Sequence, residues 1–219
     1  MFELSFQIEG AEAVPFAASP LLNLKTRIRA TDSELCIHNI LLQCQVQIEP
    51  TRRPYIDEEK IKLQDLFGDP IRWGQTLRPI LWANVNVVVP SFACETLANI
   101  PVPCTFDFNI ASTKYLYGLE GGEIPICVFF SGTVFYANAE GFRLTKIPWD
   151  REAKFRLPVP LWKEMMEMYY PNTSWVCLQR DVFDQIYRYK TARGIPTWEQ
   201  TFEKLLASGE GIELRKVDV

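Results

Sequence analysis

Leu42, Cys44, Val46 and Ile48 stand at every second position, and Gln43, Gln45, Gln47 and Glu49 fill the places between them. Successive side chains of an extended chain point to opposite faces, so a period of two makes a strand with one buried face and one wet face. The pattern calls for a sheet covered on one side only, which is the habit of antiparallel sheets. Similar alternation precedes it twice. Phe2, Leu4, Phe6 and Ile8 alternate with Glu3, Ser5 and Gln7 up to Gly10. After the Pro15 to Pro20 connection, Leu22, Leu24, Thr26 and Ile28 alternate with Asn23, Lys25, Arg27 and Arg29, giving a strand with a basic outer face. The TDSE segment that follows is a turn by composition. Three amphipathic strands with no helix between them predict a β-sandwich rather than a parallel doubly wound fold.

From Asp57 the period changes. Ile61, Leu63, Leu66 and Phe67 approximate a helical stripe, with acidic residues at its start and Gly68 as a stop. Ile80 to Val89 returns as an apolar strand, with Asn84 and Asn86 on one face. Phe106, Phe108 and Ile110 run in phase with Cys104, and Ala111 to Leu119 reads as a helical turn or two carrying Tyr115. Gly121 and Gly122 launch Ile124 to Tyr136, whose apolar residues fall on both phases, as in a strand at the centre of a sheet. Phe142 to Ile147 follows the Asn138 to Gly141 turn as a hairpin partner.

Pro148 to Pro160 is proline-rich and reads as a joint. Beyond it Trp162, Met165, Met166 and Tyr169 share a helical face closed by Pro171. Asp181 is the expected N-cap of a helix with Phe183, Ile186 and Tyr187 inward and Gly194 at its end. Thr197 and Gln200 fit a capping box ahead of Trp198, Phe202, Leu205 and Leu206, and the chain from Ser208 is expected to be loose. The expected fold is α+β: an antiparallel β-sandwich-like body over residues 1–150 with short inserted helices, and a helical C-terminal tail over 151–219 packed on it as one continuous domain.

At 219 residues the chain can bury a core without staples. A net charge of −4 supplies no field for phosphate backbones, so nucleic acid is not an expected partner. The apolar run near Ile124 to Phe130 is broken by Pro125 and too short to cross a bilayer, and Glu3 stands where a secretory signal would be basic. These features predict a cytoplasmic protein with no membrane insertion. Cys36, Cys44, Cys94, Cys104, Cys127 and Cys177 have no CxxC spacing, and His38 is the single histidine. They read as thiols, most of them in the core, with neither metal nor cofactor expected.

The densest grouping of chemistry-bearing residues is Arg52, Arg53, Arg72, Trp73, Arg78 and Trp82. Guanidinium groups pair bidentately with carboxylates and indoles anchor interfaces, so this set could grip an acidic protein partner. The plainer reading pairs the arginines with Asp57, Glu58, Asp65 and Asp69 and places the tryptophans in the core. His38 beside Cys36 lacks a third orienting group, and a partly buried structural histidine is expected there. Ser112, Thr113 and Lys114 lack the SxxK spacing of a serine-lysine pair. Asp107, Glu120, Glu123 and Asp150 are too dispersed for an acid and base pair. No catalytic residue is expected. Met165, Met166, Met168, Tyr169 and Tyr170 could receive apolar partners or pack the tail on the sheet.

The segments GAEAVPFAASP, LLQCQVQIEPTRRPY, LFGDPIRWGQTLRPILWA, IPVPCTFDFNIASTKYLYGLEGGEIPI, FFSGTVFY, IPWDREAKFRLPV and IPTWEQTFEKLL span nearly the whole chain. Through them it resembles an uncharacterised family of bacterial proteins often encoded among accessory genes of aerobic uptake nickel-iron hydrogenases. The resemblance brings no catalytic residues with it. It implies a cytoplasmic accessory role, with a hydrogenase subunit, a maturation factor or a neighbouring gene product as partner. Two other classes stay open: a small-molecule binder or enzyme with a pocket between sheet and tail, and a metal or cluster carrier using the cysteines.

Overall fold

The computed structural model describes residues 3–31, 36–105, 110–138, 141–173 and 176–209. Phe2, most of the TDSE turn, Phe106, Asp107, Phe108, the tip of the 138–141 turn, Trp175 and the end from 210 onward lie outside the described residues. The chain divides into two compact units, residues 1–173 and 174–219.

The first unit is a sandwich of two antiparallel sheets. Strands β1 (Leu4–Ala13), β2 (Leu21–Ala30) and β5 (Glu95–Pro103) form a three-stranded sheet in the order β1-β2-β5. Strands β3 (Cys36–Ile48), β4 (Ile80–Val89), β6 (Glu123–Asn138), β7 (Gly141–Lys146) and β8 (Glu152–Pro158) form the other sheet. Here β6 is the spine: β3 runs along one edge, while β7 pairs with its second half and β8 with its first. Its first half is buried on both faces, as its apolar pattern predicted.

Alternation does the sorting between faces. Leu22, Leu24, Thr26 and Ile28 are buried on β2, and Leu42, Cys44, Val46 and Ile48 on β3. They meet in one core, where the Phe6 ring stacks on Phe130 with centroids 4.2 Å apart. The basic outer face of β2 is neutralised by its neighbours: Arg27 pairs with Glu9 at 2.5 Å and Glu95 at 2.6 Å, and Arg29 with Glu95 at 2.8 Å. These pairs hold both carboxyls below the usual carboxylate range, chiefly through the arginine hydrogen bonds.

Helices α1 (Asp57–Phe67), α2 (Trp73–Thr76), α3 (Ile110–Gly118) and α4 (Val159–Tyr169) complete this unit. Helix α1 packs on α3, α3 on β4 and α4, and α4 on β1 and β8. The inward stripe of α1 is Glu59, Leu63 and Phe67, four residues apart, so Ile61 falls on the opposite side and is exposed rather than buried as expected. Strand β8 occupies the stretch expected to be a joint. Ala153 and Leu157 are buried, and Glu152, Lys154 and Arg156 alternate with them outward.

The second unit holds α5 (Arg180–Ala192) and α6 (Trp198–Gly209). Gln179 is the N-cap of α5, two residues before the expected cap Asp181, which lies within the first turn. Thr197 Oγ1 accepts from the Gln200 backbone N–H at 3.2 Å, the expected cap of α6. The ring of Phe183 lies 5.2 Å from that of Trp198, and Trp198 lies 6.2 Å from Phe202. Among the described residues no helix is long and apolar enough to cross a membrane.

Candidate functional site

The six residues singled out between Arg52 and Trp82 do not form one exposed patch. Trp73 and Trp82 are both core residues. Trp73 Nε1 donates to the Gly68 carbonyl at 2.9 Å, and its ring meets Tyr55 and Phe67 edge-on. Trp82 is an extra residue in β4: Val46 faces Ala83 and Gln47 faces Leu81, so Trp82 is bulged out of the ladder and turned into the core. Arg72 and Arg78 are exposed, and Arg52 pairs with Glu49 at 3.0 Å.

Arg53 is the centre of a buried polar knot. One guanidinium nitrogen donates to both oxygens of Glu59, at 2.7 and 2.9 Å, and to the Gly121 carbonyl at 3.3 Å. Glu59 also accepts from the backbone N–H groups of Glu120 and Ile56. Beside it the Tyr55 and Tyr115 hydroxyls lie 2.9 Å apart, and Tyr55 donates to the Pro50 carbonyl. Burial pushes the Tyr115 phenol up to about 12 and Tyr55 higher still. Every charge here is answered by the protein itself, so the knot joins the 50–55 turn, α1 and the start of β6 rather than presenting a reactive group.

All six cysteines are free thiols; Cys44, Cys104 and Cys127 are buried, and Cys36, Cys94 and Cys177 are exposed. Burial pushes the thiols of Cys44 and Cys104 up to about 12 and that of Cys127 to about 11. Among the described residues no group of three or more histidine, cysteine or acidic side chains could hold a metal ion. His38 is exposed rather than partly buried, at a bulge in β3 where Ile37 faces Tyr136 and Asn39 faces Phe135, and its ring lies 5.5 Å from that of Phe142. Ser112 and Thr113 are buried, and Lys114 pairs with Asp65 at 2.5 Å.

What the structure does bring together is the outer face of the five-stranded sheet. Gln43 faces Asn86 and Gln45 faces Asn84 across the β3–β4 ladder, and Ser131 of β6 faces Gln43 on the other side. Ser131 Oγ donates to Gln43 Oε1 at 3.4 Å, and Gln47 Nε2 donates to Gln45 Oε1 at 3.2 Å. Gln43, Gln45, Asn84 and Asn86 line a trough of about 410 Å³ bounded by Phe129 and Trp149. It adjoins a second trough of about 360 Å³, with Gln43 and Asn86 in common, that runs on past Leu41, Val88 and Thr133.

Trp149 reaches this face because the chain leaves the sheet between β7 and β8. Ile147 N–H donates to the Gly132 carbonyl at 3.1 Å and Phe130 N–H to the Arg151 carbonyl at 2.8 Å, pinning the two sides of the excursion. The alternation in β3 and the paired asparagines of β4 had marked both strands as amide-faced. Their mutual register, and the arrival of Ser131 and Trp149 beside them, had no local signal.

A search of the curated proteins finds no match. A crystal structure of the ApaA protein from Bordetella pertussis aligns with 72% of this chain and 92% of its own, at 12% identity and a TM-score of 0.24. Residues 1–213 match DUF6084, a family of unknown function, and the chain belongs to that family.

Proposed function

We propose that the protein is a non-enzymatic, cytoplasmic accessory protein that binds a protein partner and assists assembly or maturation of a nickel-iron hydrogenase. The observation that supports the binding reading is the composition of one continuous surface. Leu41, Val88, Phe142, Leu144 and Trp149, between 46% and 89% exposed, share the outer side of the five-stranded sheet with the uncharged amide rows. Exposed apolar area of this kind is characteristic of protein contact surfaces. The other sheet is different: its outer face is closed by the arginine and glutamate pairs of β1, β2 and β5.

The hydrogenase assignment rests on the family resemblance carried by segments such as LLQCQVQIEPTRRPY and IPWDREAKFRLPV. The test is affinity isolation from native cells under gentle conditions, with the unaltered protein and with Phe142→Asp/Trp149→Ala. The reading expects a hydrogenase subunit or maturation factor with the former and its loss with the latter. Recovery of no such partner, or equal recovery by both, would overturn it.

A further inference from the structure

We propose that the trough across the outer face of the five-stranded sheet holds an extended, uncharged and mainly apolar stretch of polypeptide. This inference rests on the protein-binding reading above and narrows it from any folded partner to a chain without folded structure. Gln43 and Gln45 line the trough from alternate positions of β3, so their carboxamides stand about 6.7 Å apart, twice the rise per residue of a strand. An extended peptide laid along β3 presents its backbone groups on one side with that same repeat.

A carboxamide both donates and accepts, as a peptide unit does, and the facing pairs Gln43–Asn86 and Gln45–Asn84 offer both functions across the trough. Leu41 and Val88 at one end and Phe129 and Trp149 at the other offer apolar contacts to side chains of an occupant. From Leu41 to Gln45 the floor is about 13 Å long, room for about four extended residues.

Charge separates this occupant from others. Lys146 is the one charged residue lining either trough, and its Nζ donates to Thr133 Oγ1 at 2.8 Å. A nucleic acid would need several cations here. A glycan would use the amides and Trp149 but would gain little from the aliphatic end at Leu41 and Val88. An uncharged peptide uses both ends.

The test measures binding of fluorescein-labelled peptides to the full-length protein by fluorescence anisotropy. One peptide is an uncharged nonamer of alternating Leu or Val with Ser or Asn; a second has Asp at the polar positions; a soluble β-glucan serves as competitor. The uncharged peptide should bind, and the acidic one at least about tenfold more weakly, a difference of about 1.4 kcal/mol. Gln45→Glu/Asn84→Asp and, separately, Trp149→Ala should each weaken the uncharged peptide at least about fivefold. Gln45, Asn84 and Trp149 are exposed, so both variants should keep the parent circular dichroism spectrum and melting temperature.

No binding of the uncharged peptide, equal binding by the variants, or displacement by the glucan would overturn the proposal. A photo-crosslinker at position 45, used in native cells, separates its failure from failure of the protein-binding reading. Crosslinks to a folded partner together with no peptide binding would sink the extended-chain proposal and leave the broader reading standing. No protein crosslink and no peptide binding would sink both.

Discussion

The Arg53 guanidinium holds both oxygens of Glu59, at 2.7 and 2.9 Å, with side-chain exposures of only 7% and 2%. Two buried charges that satisfy each other and five backbone groups are costly to separate. Glu59→Gln keeps the shape and removes the counter-charge, leaving a buried guanidinium unpaired. The expected loss is about 3–5 kcal/mol in urea unfolding, against a much smaller loss for the joint replacement Arg53→Met/Glu59→Leu. A Glu59→Gln variant within about 1 kcal/mol of the parent would show that water reaches the pair.

Gly132 sits at a φ of 140°, and a Cβ added there would lie 2.1 Å from the Leu41 carbonyl oxygen. The clash is with backbone in the paired strand, which cannot step aside without opening the β3–β6 ladder. Gly132→Ala should therefore cost more than about 2 kcal/mol, combining a strained backbone with steric overlap. Melting temperature and soluble yield are the measurements, and an unaltered melting temperature would contradict this geometry.

The buried thiols make stability sensitive to alkali. Burial raises Cys44 and Cys104 from the ordinary 9.0 to about 12, and Cys127 to about 11. Between pH 9 and these values the unfolded chain releases protons that the folded chain retains. The folded state is thus undiminished below pH 9 and loses stability as pH rises toward 11 and 12. Unfolding measured from pH 7 upward should be level at first and then fall, with a shallower fall in Cys44→Val. The buried tyrosines Tyr55 and Tyr115 act in the same direction from above their ordinary value of 10.

A thiol reagent at neutral pH checks the same burial independently. Cys36, Cys94 and Cys177 are exposed and should react within minutes, while Cys44, Cys104 and Cys127 should react only after denaturant is added. Six fast thiols in the native protein would contradict the packing of β3 and β6.

In the second unit Trp198 is central: its ring meets Phe183 and Phe202, and Lys190 Nζ lies 5.8 Å above it. Trp198→Ala should remove about 1–2 kcal/mol of local stability. Hydrogen exchange should speed up at backbone amides of α5 and α6 and remain unchanged in β3 and β6 if the two units open separately.

The places where sequence reasoning failed have particular causes. Strand β5 buries Ala98, Ile100, Val102 and, just past its end, Cys104, yet Pro101 and Pro103 sit at the intervening positions and disguise it as a loop. Those prolines are tolerated because β5 pairs only with β2 and needs no ladder donors on its free edge. Strand β8 alternates Ala153, Phe155 and Leu157 with Glu152, Lys154 and Arg156, a period of two that the flanking prolines mask. Glu59 was unreadable for another reason: a carboxylate becomes an inward residue only when a guanidinium from another segment is waiting there.

By itself the sequence determined which side chains of each amphipathic strand point in and which point out, because that choice follows from a backbone period of two and needs no partner. It also marked the amide rows of β3 and β4 and the cap of α6, all features of neighbouring residues. Only the tertiary structure decided that Gln43 meets Asn86, that Trp82 turns inward at a bulge, and that Trp149 arrives beside Phe129 and Ser131. Register and burial depend on which distant segments compete for the same space, and that competition is resolved by packing the whole unit at once.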